Sequence, residues 1–157
     1  MDKKVAISQS NYIPWKGYFD MIDYVDEFII YDDMQFTKRD WRNRNIIKTP
    51  QNNLWLTIPV EVKGKFLQKI RDTRLVDSFW AADHWTKIVS NYKKAPYFLE
   101  IQSLLEPLYK NNQCKYLSEV NEMFLVEICK YLDIKKILSK SWDYELIEGK
   151  TERLLHL

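Results

Sequence analysis

The chain has 157 residues, 46% of them apolar and 29% charged, and a formal net charge of +2. That length suits one globular domain with a real core, and the near-neutral charge carries no signature of a nucleic-acid binder. The longest apolar runs fall far short of the ~20 residues that cross a bilayer, so no membrane insertion is expected.

Cys114 and Cys129 are the only cysteines. Two thiols in a chain this long exclude a disulfide scaffold. No signal peptide precedes the first apolar run, so the expected location is cytoplasmic with both thiols reduced.

The first predicted element is a strand, Val5-Ala6-Ile7-Ser8, which meets a turn at Ser10-Asn11-Tyr12. Pro14 opens a helix whose apolar residues are Trp15, Tyr18, Phe19 and Ile22, and a second strand, Phe28-Ile29-Ile30-Tyr31, ends in Asp32-Asp33. Strand, helix and strand in about thirty residues make a βαβ unit and imply a parallel sheet. Gln35 to Arg44 reads as a basic loop, Asn45 to Lys48 as a short strand, and Leu54 to Ile58 as a strand running into Pro59. Lys69-Ile70-Arg71 is a candidate further strand.

The second half is helical. Trp85, Ile88, Val89 and Tyr92 recur at helical spacing and predict a helix over 79–93. Pro96 suits a first helical residue, and Phe98, Ile101, Leu105 and Leu108 give the next stripe, which Pro107 should end early. The clearest stripe runs from Leu117 to Leu132, with Asn121 as the one polar residue on its buried face. A strand at Lys136 to Ser139 follows, and Thr151 is placed to cap a last short helix. The expected fold is α/β, with a parallel or mixed sheet built from the N-terminal βαβ unit and a helical second half, in a Rossmann-like, nucleotidyltransferase-like layout.

Ligands of open parallel sheets sit outside the carboxyl ends of the strands. Gln9, Asn11 and Tyr12 lie at one such end and Asp32 and Asp33 at the other. The Pro14 helix start favours phosphate or carboxylate, and Gly17 would let a neighbour or ligand approach closely. The plainer reading is that Asn11 caps the helix and Gly17 packs against a strand. Asp32 and Asp33 could bind a metal ion, orient a ribose or amine, act as a base, or form a solvated turn.

Charge is unevenly spread. Residues 1–35 carry seven acidic against three basic side chains, and residues 36–48 carry five basic against one acidic. In that basic segment Arg42 and Arg44 can fork onto phosphate oxygens, and Trp41 can stack on a ring. His84 and His156 lack partners at metal-ligand or triad spacing and read as surface residues. No zinc spacing, P-loop or G-x-G-x-x-G is present, so neither metal nor cofactor is expected.

The runs SQSNYIPWKGYFDMI, DEFIIYDDMQFTKRDWRNRN and LWLTIPV resemble the front half of the WbqC-like protein family. The likeness is strongest at Gln9 to Gly17, Asp32 to Gln35, Arg42 to Asn45 and Trp55 to Pro59. It implies a role in bacterial surface-polysaccharide (O-antigen) biosynthesis, as a transferase moving an acyl or aminoacyl group to an amino sugar on a sugar nucleotide. Ligand-binding positions would then be Gln9, Asn11, Tyr12, Trp15, Gly17, Arg42, Arg44 and Asn45, with Arg42 and Arg44 on phosphate and Asp32 or Asp33 as base or polar anchor.

Family members continue past Gly149 to Leu154 into a stretch with a Tyr-Leu-Ser-Gly-like segment and a late His-Pro motif. The 157 residues are therefore expected to form one α/β domain, the N-terminal portion of a longer architecture. A binding or assembly module without chemistry is the rival reading, and a homo-oligomer covering the aromatic surface is a further expectation. A weaker likeness links the first forty residues to adenylyl- and cytidylyltransferases, including pantothenate synthetase. Pro14 and Tyr18 stand where those enzymes carry histidines, which would make this chain a degenerate nucleotidyltransferase.

Overall fold

The structure, a computed structural model, describes residues 2–157, apart from the side chains of Lys150 and His156. The βαβ unit is present: β1 (Val5–Ser8), α1 (Lys16–Tyr24) and β2 (Glu27–Ile30), with β1 and β2 parallel. The third strand of this sheet comes from far along the chain. It is β5 (Ile137–Lys140), parallel to β2, so the order is β1-β2-β5 with β2 in the centre. All four residues of β2 are buried, as a central parallel strand covered on both faces must be.

Glu27 is the costly member of that strand. Its carboxylate is held by hydrogen bonds from Lys3, Ser139 and Tyr144, which bring its pKa down to about 2.

A separate antiparallel hairpin joins β3 (Arg44–Lys48) and β4 (Asn53–Thr57), with Asn45 opposite Leu56 and Ile46 opposite Trp55. Alternation divides its faces. Leu56 and Ile47 belong to the core, while Trp55 and Thr57 are exposed.

Three longer helices follow: α2 (Phe79–Tyr92), α3 (Phe98–Lys110) and α4 (Leu117–Tyr131). A final short helix, α5, spans Lys150–His156. Helix α4 joins two cores. Leu117, Val120 and Phe124 pack with Tyr12, Leu56, Trp80 and Tyr109, whereas Leu125 and Cys129 pack with Tyr18, Ile22, Phe28 and Ile30. Burying each such side chain contributes about 1.5–3 kcal/mol, so α4 ties the sheet to the helical half.

Four local expectations need correction. Lys69-Ile70-Arg71 is no strand: Ile70–Asp72 forms a 3-10 turn that buries Ile70. Pro96 precedes α3 rather than starting it, because Tyr97 takes a left-handed conformation (φ 64°) and helical geometry begins at Phe98. Pro107 does not end α3, which runs on to Lys110. One lost backbone bond is outweighed by placing Leu108 and Tyr109 in the core. At α5 the N-cap is Gly149, not Thr151.

Candidate functional site

The carboxyl ends of the three parallel strands are laced together by the two adjacent aspartates. Asp32, after β2, reaches the β1 end: Ser10 donates to it from its backbone N–H (2.8 Å) and its hydroxyl (2.7 Å), and Ser118 of α4 donates from its hydroxyl. Asp33 reaches the β5 end and the 3-10 turn, accepting from the Ser141 hydroxyl at 2.8 Å and from Lys69 at 2.7 Å, with Arg71 at 3.3 Å.

Asp32 is fully buried, and burial pushes its pKa up against the hydrogen bonds from Ser118 and Ser10. Asp33 is buried too. Desolvation there is outweighed by the bonds from Lys69 and Ser141 and by the charge of Arg71, which hold its carboxyl below the ordinary range.

Asn121 extends the latch. This buried α4 residue donates to Ser10 Oγ at 2.9 Å and to the Arg42 carbonyl at 2.9 Å. Arg42 in turn donates to Asn11 Oδ1, so Asn11 braces the basic segment instead of capping α1, whose N-cap is Trp15.

The turn after β1 is held in an unusual shape. Ile13 has φ 48°, a conformation costly for a β-branched residue. Asn45 sustains it, its Nδ2 donating to the carbonyls of Tyr12 (3.0 Å) and Ile13. The Tyr12 backbone N–H also donates to the Trp41 carbonyl at 3.1 Å.

Beside this turn lies a cleft of about 570 Å³ lined by Asn11, Tyr12, Ile13, Pro14, Trp15, Trp41, Asn45 and Ile46. Two of its walls are exposed indoles, Trp15 at 65% and Trp41 at 47%. Trp41 lies 5.5 Å from Trp55, whose ring also carries the Arg44 guanidinium at 4.1 Å. Gly17 allows the Trp15 pose, since a Cβ there would stand 2.6 Å from Trp15 Nε1.

The sequence matches the model of the family described as "WbqC-like protein family" over residues 9–157. The chain belongs to that family. A relative from Mycobacterium tuberculosis, described as uncharacterized protein Rv1507c, is 59% identical over 155 residues, 99% of this chain and 67% of the relative. No solved structure matches significantly.

In this WbqC-like chain the anticipated site residues fall into two groups. Asn11, Tyr12, Trp15 and Asn45 meet at the cleft. The Asn-Tyr corner and Asp32 do share one rim, through Ser10, but Asp32 and Asp33 spend their oxygens on internal partners and line no part of the cleft. Gln9 offers its carbonyl to the Tyr18 hydroxyl at 2.8 Å. Arg42 and Arg44 are occupied by Asn11 and by Trp55 respectively.

The Tyr12 side chain leaves the cleft for the core, where its hydroxyl lies 3.0 Å from His84 Nδ1 and bonds the Tyr109 hydroxyl. His84 therefore is no surface residue: it is 1% exposed, and burial lowers its pKa to about 4. A signal for this was present, because His84 stands four residues after Trp80 and three after Ala81 on the buried stripe of α2. The side chain of His156 lies outside the described residues.

Ser118, Ser141 and Ile13 gave no sequence signal, since an isolated serine or isoleucine looks the same on a surface or in a latch. Among the described residues no cluster of three or more His, Cys, Asp or Glu side chains could hold a metal ion. Among the described residues no helix is long and apolar enough to cross a membrane.

Proposed function

We propose that this WbqC-like chain binds a nucleotide or sugar nucleotide in the Trp15–Trp41 cleft, as part of a transferase of bacterial surface-polysaccharide biosynthesis. The transferred group would be acyl or aminoacyl and the acceptor an amino sugar. One observation carries the reading: a cleft of ligand size stands at the carboxyl end of β1, its walls two exposed indoles and its floor a strained turn pinned by Asn45. Exposed indoles stack on bases and sugars at about 1–3 kcal/mol per ring, and a pinned turn spares the ligand the cost of ordering it. Asp32 then serves as the anchor that fixes the turn through Ser10, not as a base in contact with substrate.

A second reading, a binding module without chemistry, is favoured by the same engagement of both aspartates. Calorimetric titration with a panel of nucleoside diphosphates and their sugars tests the first point. Binding is expected, with loss of about tenfold or more in affinity in Trp15→Ala and Trp41→Ala. Absence of binding to every member, or binding indifferent to both substitutions, overturns the reading. Binding without turnover of any nucleotide sugar in the presence of acyl and aminoacyl donors selects the second.

A further inference from the structure

A second cavity, of about 390 Å³, lies along the basic segment and is distinct in composition from the cleft. Its apolar lining includes Phe36, Ile58 and Val60, and its polar lining is Asn43, Lys38, Arg39, Arg44 and Thr57. Three features mark it as a built site.

Among the described residues, Lys38, Arg39 and Arg44 form no ion pair, whereas Arg42, Lys65, Lys69 and Arg71 nearby each do. The one acidic side chain within the loop, Asp40, is already engaged: it accepts from the Thr37 hydroxyl (2.8 Å) and the Trp41 N–H (2.7 Å) and faces Arg42 at 3.8 Å. It makes no ion pair with Lys38, Arg39 or Arg44, although Arg44 lies near enough to help hold its carboxyl below the ordinary range.

The loop is also fixed in shape. Arg39 holds a left-handed backbone (φ 61°), and the Arg44 guanidinium donates to its carbonyl.

The third feature is Asn43. It is 7% exposed and lines the cavity, and its Nδ2 donates to the Ile58 carbonyl at 2.9 Å. Its Oδ1 is buried with no partner among the described residues. A buried acceptor left unpaired costs free energy that a bound donor would recover.

We propose that this cavity binds a small organic anion: a carboxylate or phosphate on a compact apolar body that also presents an N–H or O–H donor. The anionic group meets Lys38 and Arg39, with Arg44 at the edge, where charge-assisted bonds to Arg and Lys are strong. The apolar body covers Phe36, Ile58 and Val60, and the donor pairs with Asn43 Oδ1 once that side chain, now closed to solvent, turns to meet it. The site stands whether or not the Trp15–Trp41 cleft takes a nucleotide.

The test is an NMR titration of the whole chain with three probes, N-acetyl-L-valine, its methyl ester and phenyl phosphate, each to about 10 mM, a range that detects millimolar binding. N-acetyl-L-valine is expected to move the Asn43 side-chain amide and the 58–60 backbone resonances, and its uncharged ester to bind at least about tenfold more weakly. Phenyl phosphate binding more tightly than the carboxylate identifies phosphate as the anion; the reverse identifies carboxylate. The double variant Lys38→Gln, Arg39→Asn should lose the response; asparagine tolerates the left-handed backbone at residue 39. Its unchanged spectrum elsewhere, including the Trp15 indole and the Asn45 side-chain amide that line the cleft, separates loss of this site from loss of fold or of the cleft. No response to either anion at the cavity resonances, equal binding of the ester, or binding that survives the double variant overturns the proposal.

Discussion

The strand-end latch and the rim of the cleft are neighbours in space and opposites in physics. In the latch, Ser10, Asp32, Ser118 and Asn121 are buried and bonded to one another, with Asn121 also donating to the Arg42 carbonyl. On the rim, Trp15, Trp41 and Trp55 are exposed, and Arg44 stacks on an indole instead of pairing with a carboxylate. Acidic residues at the ends of parallel strands suggest catalysis; in this chain their oxygens bind the strand ends to one another and to α4. Exposed tryptophans suggest misplaced core, yet here Trp15 and Trp41 line a cleft beside a strained turn. Burial and partner count, more than residue type, separate what holds the fold from what remains free to bind.

The largest effect should come from cutting the latch. Asp32→Ala leaves the Ser10 N–H, the Ser10 hydroxyl and the Ser118 hydroxyl without their buried acceptor. A loss of about 3–5 kcal/mol is expected, against less than about 1 kcal/mol for Trp41→Ala on the rim. Urea unfolding of both variants checks the contrast. Similar losses for the two would erase the division between the regions.

A next, smaller effect separates the regions by pH. His84, in the core beneath the turn, has a folded pKa of about 4 against an ordinary 6.5. The unfolded chain therefore binds the extra proton first, so stability is full above about pH 6.5 and is lost as pH falls toward 4, by about 3 kcal/mol. Glu27 adds a second loss in the same direction lower down, between its ordinary 4.5 and about 2. Asp32, with a raised folded pKa, opposes both. The slope between pH 6.5 and 4 should flatten in His84→Gln, and an unchanged slope would show that His84 does not cause it. No such dependence should arise from the rim tryptophans, which do not titrate.

Much of the scaffold was legible from sequence because it rests on period. The Tyr18, Phe19, Ile22 stripe and the unbroken apolar run of β2 announce a βαβ unit, and the α4 stripe with Asn121 on its inner face is where the sequence places it. What sequence hides is partnership across distance. Ser118 meets Asp32 from 86 residues away and Ser141 meets Asp33 from 108, and nothing local marks either serine. The β5 strand shows as a short apolar run, but its place beside β2 depends on the whole helical half folding between them. Pro107 misleads because local propensity is overridden once Leu108 and Tyr109 reach the core. Of the site residues the sequence singles out, Asn11, Tyr12, Trp15 and Asn45 come together at the cleft, while Asp32 and Asp33 turn to internal partners that no local pattern announces.

The smallest effect on stability gives the sharpest test of the comparison. Gly17→Ala puts a methyl where Trp15 Nε1 now sits, 2.6 Å from the new Cβ. The clash falls on the end of a side chain that is 65% exposed, so the indole can swing away at little cost. Losing its edge contact with Tyr18 at 5.8 Å is offset by the better helix propensity of alanine in α1. Stability should stay within about 0.5 kcal/mol of the parent, measured by thermal melting. The Trp15 wall, however, would be displaced, so affinity for a nucleotide in the cleft should fall several-fold with kinetics of folding untouched. A variant that melts like the parent and binds like the parent would mean that the Trp15 pose is incidental, and with it the claim that Gly17 is there to shape the rim.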